Sequence, residues 1–355
     1  MELKSLSLTQ RLLAGAGCVV VLVLLAAAGA LLYWERQAAR STARDLGTAP
    51  AGWTDSVRMA GRLPDLGEFV LPRTDSADGA WVVYDTARAF RLGGIQHAYR
   101  AMVGSETPNE ADSTLWRALA ADTSLDDWAG AARARQWHAT ERLLATRPPD
   151  ARPNVMLIPI PAYVPARDAA RALVIRGLMR LARGDRIGAR ADLAAATGLG
   201  EQMVRREPTF IGMLVGRATI ASGLTGWQRY GVVTRDTALT GRAARLHAWA
   251  VLRPAGYAGF LVAAPDSAIA IARDASLVLG ARTFALEQLL LGWFVRPRGL
   301  LFGPPGHVMR AIESLTTDPD PDMALMAGVA AATAHRLNLF GLPALLKESG
   351  PGPTR

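Results

Sequence analysis

An all-α protein is what this chain predicts: a single N-terminal transmembrane helix followed by an extrinsic body of paired antiparallel helices. Three observations carry that reading. Residues Leu12 to Trp34 form an uncharged run long enough to cross a bilayer as a helix. Apolar residues beyond it recur at a spacing near 3.6 along most of the chain. An Asp followed by Ser or Thr recurs at the edges of those apolar runs, at Asp55, Asp75, Asp85, Asp112, Asp122, Asp236 and Asp266. There a short side-chain oxygen can accept a free N–H of the first helical turn.

Residues 1–11 form a short tail ahead of the span at 12–34. Ala28-Gly29-Ala30 would suit a signal peptidase, but Leu31-Leu32-Tyr33-Trp34 continue the apolar run past that point and end in an interfacial aromatic pair. An uncleaved anchor follows. Gly15 and Gly29 are small residues at which a partner helix could approach closely. Lys4 and Arg11 precede the span, and Arg36, Arg40 and Arg44 follow it. A short positive tail resists translocation, which places the tail inside and the body outside, in a bacterial inner membrane with the bulk periplasmic.

Composition limits the chemistry. The single cysteine, Cys18, lies in the span, so the body can form no disulfide and no thiolate metal site. Forty basic against thirty-one acidic residues give +9, and every basic residue but Lys4 and Lys347 is arginine. Such a surface favours anionic headgroups or acidic partner proteins. No nucleic-acid motif accompanies it.

Residues 35–153 read as a juxtamembrane helix and a Trp-rich helical subdomain. Trp53, Trp81, Trp116, Trp128 and Trp137 fall there among Pro- and Gly-containing connections and are expected to knit a small irregular core. Ser124-Leu125-Asp126-Asp127 has the spacing of a capping box and predicts a helix continuing through Trp137 and Leu144. Arg147 to Pro153, with three prolines, cannot continue a helix and marks the boundary. Val155 to Val164 reads as an extended segment.

The second helical subdomain, 154–345, opens on the clearest pair in the chain: Asp168 to Arg183 and Asp185 to Gly198, joined at Gly184. Small residues at Gly177, Ala189 and Ala196 let two helices cross closely while Leu193 fills the gap. With the Gly184-Asp185 turn, these residues resemble a tetratricopeptide repeat over residues 168–201. Arg180 stands at that family's aromatic position and Glu201 at its closing proline. No second copy occurs at the family's repeat length. The resemblance implies a protein-binding scaffold.

Further helices are predicted over Pro208 to Tyr230, Thr237 to Leu252, Asp266 to Leu279 and Met323 to Leu339. Gly212 and Gly216 imitate a membrane dimerisation motif, but Arg217 interrupts the run, so a buried helix contact is expected. Phe284 to Val295 is very apolar and ends in Trp293, Phe294, Arg296 and Arg298, an end suited to a headgroup surface or a neighbouring subunit. Residues 346–355 read as a flexible tail.

Catalytic signals are sparse. The five histidines are isolated in sequence, and Asp318-Pro319-Asp320-Pro321-Asp322 lacks the glycine and bidentate Glu of a calcium loop, so it is expected to cap the last helix. Glu313-Ser314 resembles the Glu-Ser dipeptide of lytic transglycosylases, which would make Glu313 a general acid. The function expected is a membrane-anchored scaffold or accessory subunit, not an enzyme, with membrane lipids and other membrane-protein subunits as partners and no cofactor. The alternatives are a peptidoglycan-acting enzyme built on Glu313 and a lipid- or small-ligand-binding module.

Overall fold

The computed structural model describes residues 29, 33, 50–73, 75–79, 93–137, 163–251, 265–294, 304 and 306–336. They form twelve α-helices, two short 3-10 turns and one pair of short strands. The helices are α1 (Pro50–Gly61), α2 (Ile95–Val103), α3 (Glu110–Ala121), α4 (Ser124–Ala131), α5 (Tyr163–Ala182), α6 (Arg186–Arg206), α7 (Phe210–Thr234) and α8 (Thr237–Val251), followed by α9 (Pro265–Ala272), α10 (Leu279–Phe294), α11 (Gly306–Ser314) and α12 (Pro321–Arg336). Among the described residues no helix is long and apolar enough to cross a membrane. The predicted span lies outside them except for Gly29 and Tyr33, both helical and exposed.

Helices α5 to α8 are the centre of the body, two hairpins packed side by side, with α7 against both α5 and α6. Their interior is built from small residues. A methyl group added at Gly177 would lie 3.1 Å from the Ala189 carbonyl and 3.3 Å from Leu193 Cγ, so the first pair crosses with backbones nearly touching. Ala189, Leu193 and Ala196 are fully buried in that contact. Gly200, Gly216 and Gly223 repeat the arrangement between α6 and α7, where a Cβ at Gly223 would collide with Thr197. The glycine spacing at 212 and 216 therefore serves an internal helix contact, as the interrupting Arg217 implies.

Both hairpins turn in the same way. Gly184 N–H donates to the Leu181 carbonyl and Asp185 N–H to the Arg180 carbonyl; Arg235 N–H donates to Val232 and Asp236 N–H to Gly231. Gly184 (φ 86°) and Arg235 (φ 62°) hold the left-handed conformation that ends each first helix. The next aspartate then caps the second helix, Asp185 through Gly188 N–H and Asp236 through Leu239 N–H, each at 2.8 Å. Glycine meets the left-handed requirement without cost, whereas an arginine there costs about 1 kcal/mol.

The Trp-rich subdomain packs on this centre. Helices α2, α3 and α4 lie against α5, and Tyr99 of α2 reaches α7, its hydroxyl donating to the Ser222 carbonyl at 2.9 Å. Trp128 and Trp137 are buried, and Trp116 Nε1 donates to the Ala98 carbonyl. These three tryptophans thus form the irregular core expected of them; Trp81 lies outside the described residues. At the other side α10 packs on α6, α7, α9, α12 and α1.

Several boundaries differ from expectation. Helix α4 stops at Ala131 instead of running through Trp137, and Ala134–Gln136 pairs in parallel with Asp75–Asp78. Gly79 closes that pair by donating to the Gln136 carbonyl, and a side chain there would strike the Ala131 carbonyl. Helix α5 begins at Tyr163, inside the segment expected to be extended, because Pro165 falls in the first turn, where no intrahelical N–H bond is required of it. The helix expected over 266–279 stops early, at Ala272, and Asp274 Oδ1 accepts from the backbone and hydroxyl of Ser276 in the turn that follows. Helix α6 continues two turns past Gly198, since Leu199, Met203 and Val204 extend its buried face.

The capping expectation holds in part. Asp236 is an N-cap, and Asp122 accepts from Ser124 N–H ahead of α4. Ser124 is itself the first helical residue, so the expected box there does not form. The box that does form is Asn109 with Asp112, at the start of α3. Asp55 and Asp266 lie within helices and Asp75 in a strand. At the last helix, Asp320 Oδ1 accepts from Asp322 N–H with Pro321 in the first position, the capping turn expected of that segment.

Candidate functional site

The residues singled out as interface candidates are placed only in part. Trp293 and Phe294 are the last two residues of α10. Gly29 has open space around it. Gly15, Arg296 and Arg298 lie outside the described residues. The packing candidates Gly177, Ala189, Leu193 and Ala196 come together between α5 and α6, with Gly184 at their turn.

Glu313, the candidate general acid, is exposed at the end of α11. Among the described residues no three His, Cys, Asp or Glu side chains are placed to hold a metal ion.

Three polar clusters escape a linear reading. The first is centred on Arg176 of α5, buried, which donates from Nε and Nη2 to both oxygens of Asp192 on α6 at 3.0 and 2.8 Å. Its Nη1 reaches the Asp122 carbonyl and Asp126 Oδ1. Arg180 adds a second guanidinium to Asp192 at 3.0 Å. Burial pushes the Arg176 guanidinium down, and Asp192 with Asp126 more than offsets that and leaves it raised.

The second cluster lies where α6 meets α7. Glu207 is fully buried; its Oε1 accepts from Trp137 Nε1 and its Oε2 from the Tyr163 hydroxyl, both at 2.8 Å. Thr209 Oγ1 stands 3.1 Å from the same hydroxyl. Burial pushes the carboxyl from 4.5 up to about 7 against these two hydrogen bonds, and Asp322 on α12 pushes in the same direction. Gly212 and Gly280 leave room for the cluster: a methyl group on either would strike it or the backbone beside it. This carboxyl joins Trp137, just past the strand Ala134–Gln136, to α5 and the α6–α7 link, and it is enclosed.

The third cluster is on the surface. His97 Nδ1 stands 2.9 Å from Asp112 Oδ1 and its Nε2 3.4 Å from Glu106 Oε2. The hydrogen bond that the imidazole donates to Asp112 raises it above its ordinary value. Only a three-dimensional view brings these residues together, since Asp112 is fifteen residues from His97.

Exposed apolar side chains among the described residues are scattered over Met59, Val164, Ile211, Val251 and Leu325, and three more stand together at the turns of the two hairpins. Ile187 on α6 is 86% exposed, and Val232 and Val233 at the end of α7 are 57% and 54% exposed. Arg183, Arg186 and Arg235 stand among them, also exposed. Comparison with known protein families, with curated proteins and with solved structures found no match.

Proposed function

We propose that this chain is a membrane-anchored helical scaffold or accessory subunit of a larger membrane complex, its body on the periplasmic side of a bacterial inner membrane, acting through contacts with other subunits and with lipid. The observation that carries the reading is the repetition of the α5–α6 hairpin by α7–α8. The two share one turn geometry and one aspartate cap, fifty-one residues apart. Each hairpin buries its apolar stripe against the next, as the units of a tetratricopeptide-like solenoid do. The helices are longer than those of that family, which is why no second copy stands at its usual repeat length.

In such stacks the first helices of successive pairs line one face. Here α5 and α7 are that pair, and α2 lies across them with Tyr99 inserted. The charge clusters support the same reading: Arg176, Asp192 and Glu207 bond to one another's elements and hold the stack together.

The test is isolation of the full chain from membranes in mild detergent, with the proteins that co-purify identified. Stoichiometric recovery of membrane subunits is expected, and retention in the membrane after an alkaline carbonate wash. A chain that washes off and elutes alone as a monomer would overturn the proposal.

A further inference from the structure

The closed ends of the two hairpins form a surface that the scaffold itself does not use. Helices α6 and α7 run antiparallel, with Gly226 against Leu193, Gly223 against Thr197 and Gly216 against Val204. Carried to the end of the pair, this register sets Ile187 level with Val232 and Val233. Three aliphatic side chains therefore share one end of the stack, each more than half exposed.

The charge at this end is net positive, Arg183, Arg186 and Arg235 standing with Asp185 and Asp236. Asp185 and Asp236 are engaged in capping their own helices. Glu68 is paired with Arg190 and Arg242. Among the described residues, Arg183, Arg186 and Arg235 form no ion pair. Arg235 moreover occupies a left-handed backbone position that Gly184 fills without strain in the first hairpin, so the fold holds an outward-facing guanidinium where glycine would be the easier residue.

We infer that this end of the stack docks on an anionic bilayer surface, the arginines against lipid phosphates and Ile187, Val232 and Val233 at the headgroup boundary. The inference rests on the membrane-anchored reading, which supplies a bilayer within reach. Basic side chains beside exposed aliphatic ones are the composition of an interfacial contact. It is also an end of four helices.

The experiment uses the full chain in nanodiscs of phosphatidylcholine alone or with about one-third phosphatidylglycerol. Cys18→Ser and Ile187→Cys place a single environment-sensitive fluorophore at the proposed contact. Emission should rise and shift to the blue in the anionic discs only, and the response should vanish in 0.5 M salt. Each arginine near an anionic surface is worth about fivefold in partitioning, so Arg183→Glu/Arg186→Glu/Arg235→Glu should weaken the contact by about a hundredfold. Arg235→Gly gives the sharper test, because relief of strain raises the melting temperature while the lipid response falls. Equal emission in neutral and anionic discs would overturn the inference. So would an unchanged lipid response in the triple variant accompanied by loss of an acidic protein partner. Failure of the anchor is read separately: if the chain does not enter discs, the same fluorophore is followed on the released chain with added anionic vesicles, where a missing salt-sensitive response still refutes the docking surface.

Discussion

Replacing Glu207 by Gln asks whether the buried carboxyl at the α6–α7 junction weighs against the fold at neutral pH. In the unfolded chain the group ionises near 4.5, and in the folded one burial defers ionisation to about 7. As pH rises between these values the unfolded state gives up its proton first, so it gains free energy that the folded state does not. The stabilising contribution is complete below about pH 4.5, declines through the interval and is gone above about pH 7. At 1.36 kcal/mol for each tenfold change in proton affinity, the loss comes to about 3 kcal/mol. Gln keeps the shape of the site: its Oε1 can accept from Trp137, and its Nε2 can donate to the Tyr163 oxygen. It has no proton to lose. The variant should therefore gain about 3 kcal/mol on the native protein between pH 4.5 and pH 8, or about 6–12 °C in melting temperature for a body of this size. Thermal unfolding followed by circular dichroism across that range measures it. Taking the difference between the two proteins cancels other titrating groups, such as the half-buried Glu287 of α10, which burial pushes up to about 8. A difference that stays flat with pH, or one that turns against the variant as pH rises, would refute the reasoning.

Overpacking tests the first hairpin. Gly177→Leu and Ala189→Leu should each cost about 1–3 kcal/mol, because the facing atoms belong to backbone and to fully buried side chains that cannot retreat; unchanged melting temperatures would show that the helices have room to part. Arg176→Leu leaves Asp192 buried with Arg180 alone and should cost about 3 kcal/mol, whereas Arg176→Leu/Asp192→Leu should recover much of that loss; a double variant no better than the single would contradict the pairing. Trp293→Ser/Phe294→Ser is expected to fold with a near-native melting temperature and to lose co-purifying subunits, and a collapsed melting temperature would place the two aromatic side chains in the core instead.

The helical body was legible because its signals are local. The Gly184-Asp185 turn and Pro321 after Asp320 act within a few residues, the small residues at Gly177, Ala189 and Ala196 lie on the two helices that this turn joins, and each does in the fold what its spacing suggests. Whatever depends on distant partners was not legible. Arg176 looks like any helix-face arginine until α6 brings Asp192 to it, and Glu207 looks like a solvated helix end until Trp137, seventy residues earlier, covers it. The strand pairing of Asp75–Asp78 with Ala134–Gln136 failed for a related reason: four and three residues are too few to show a period of two, and Ala131 to Ala134 is locally good helix. The second hairpin was missed because it preserves turn geometry and not side chains. Arg235 replaces Gly184, and only the aspartate after it is the same.

A core of alanine and glycine poses a problem of register, and the buried arginines answer it. Helices α5, α6 and α7 meet through small side chains, which allow close approach but leave shallow ridges, so sliding by a turn would lose little interdigitation. Charged links remove that freedom. Arg176 reaches Asp192 on α6 and the Asp122 carbonyl at the end of α3, buried Arg217 on α7 reaches the Trp249 carbonyl on α8, and buried Arg282 on α10 reaches the Ala272 carbonyl and Asp318. In register each link contributes little net stability, since desolvation offsets most of the attraction. Out of register each leaves a buried charge without its acceptor, at about 3–5 kcal/mol apiece. Three such links on three helix interfaces make a shifted stack uncompetitive in a protein whose total stability is of the order of 10 kcal/mol. Arg176 thus selects the register of α5 on α6, Arg217 that of α8 on α7, and Arg282 that of α10 on the end of α9.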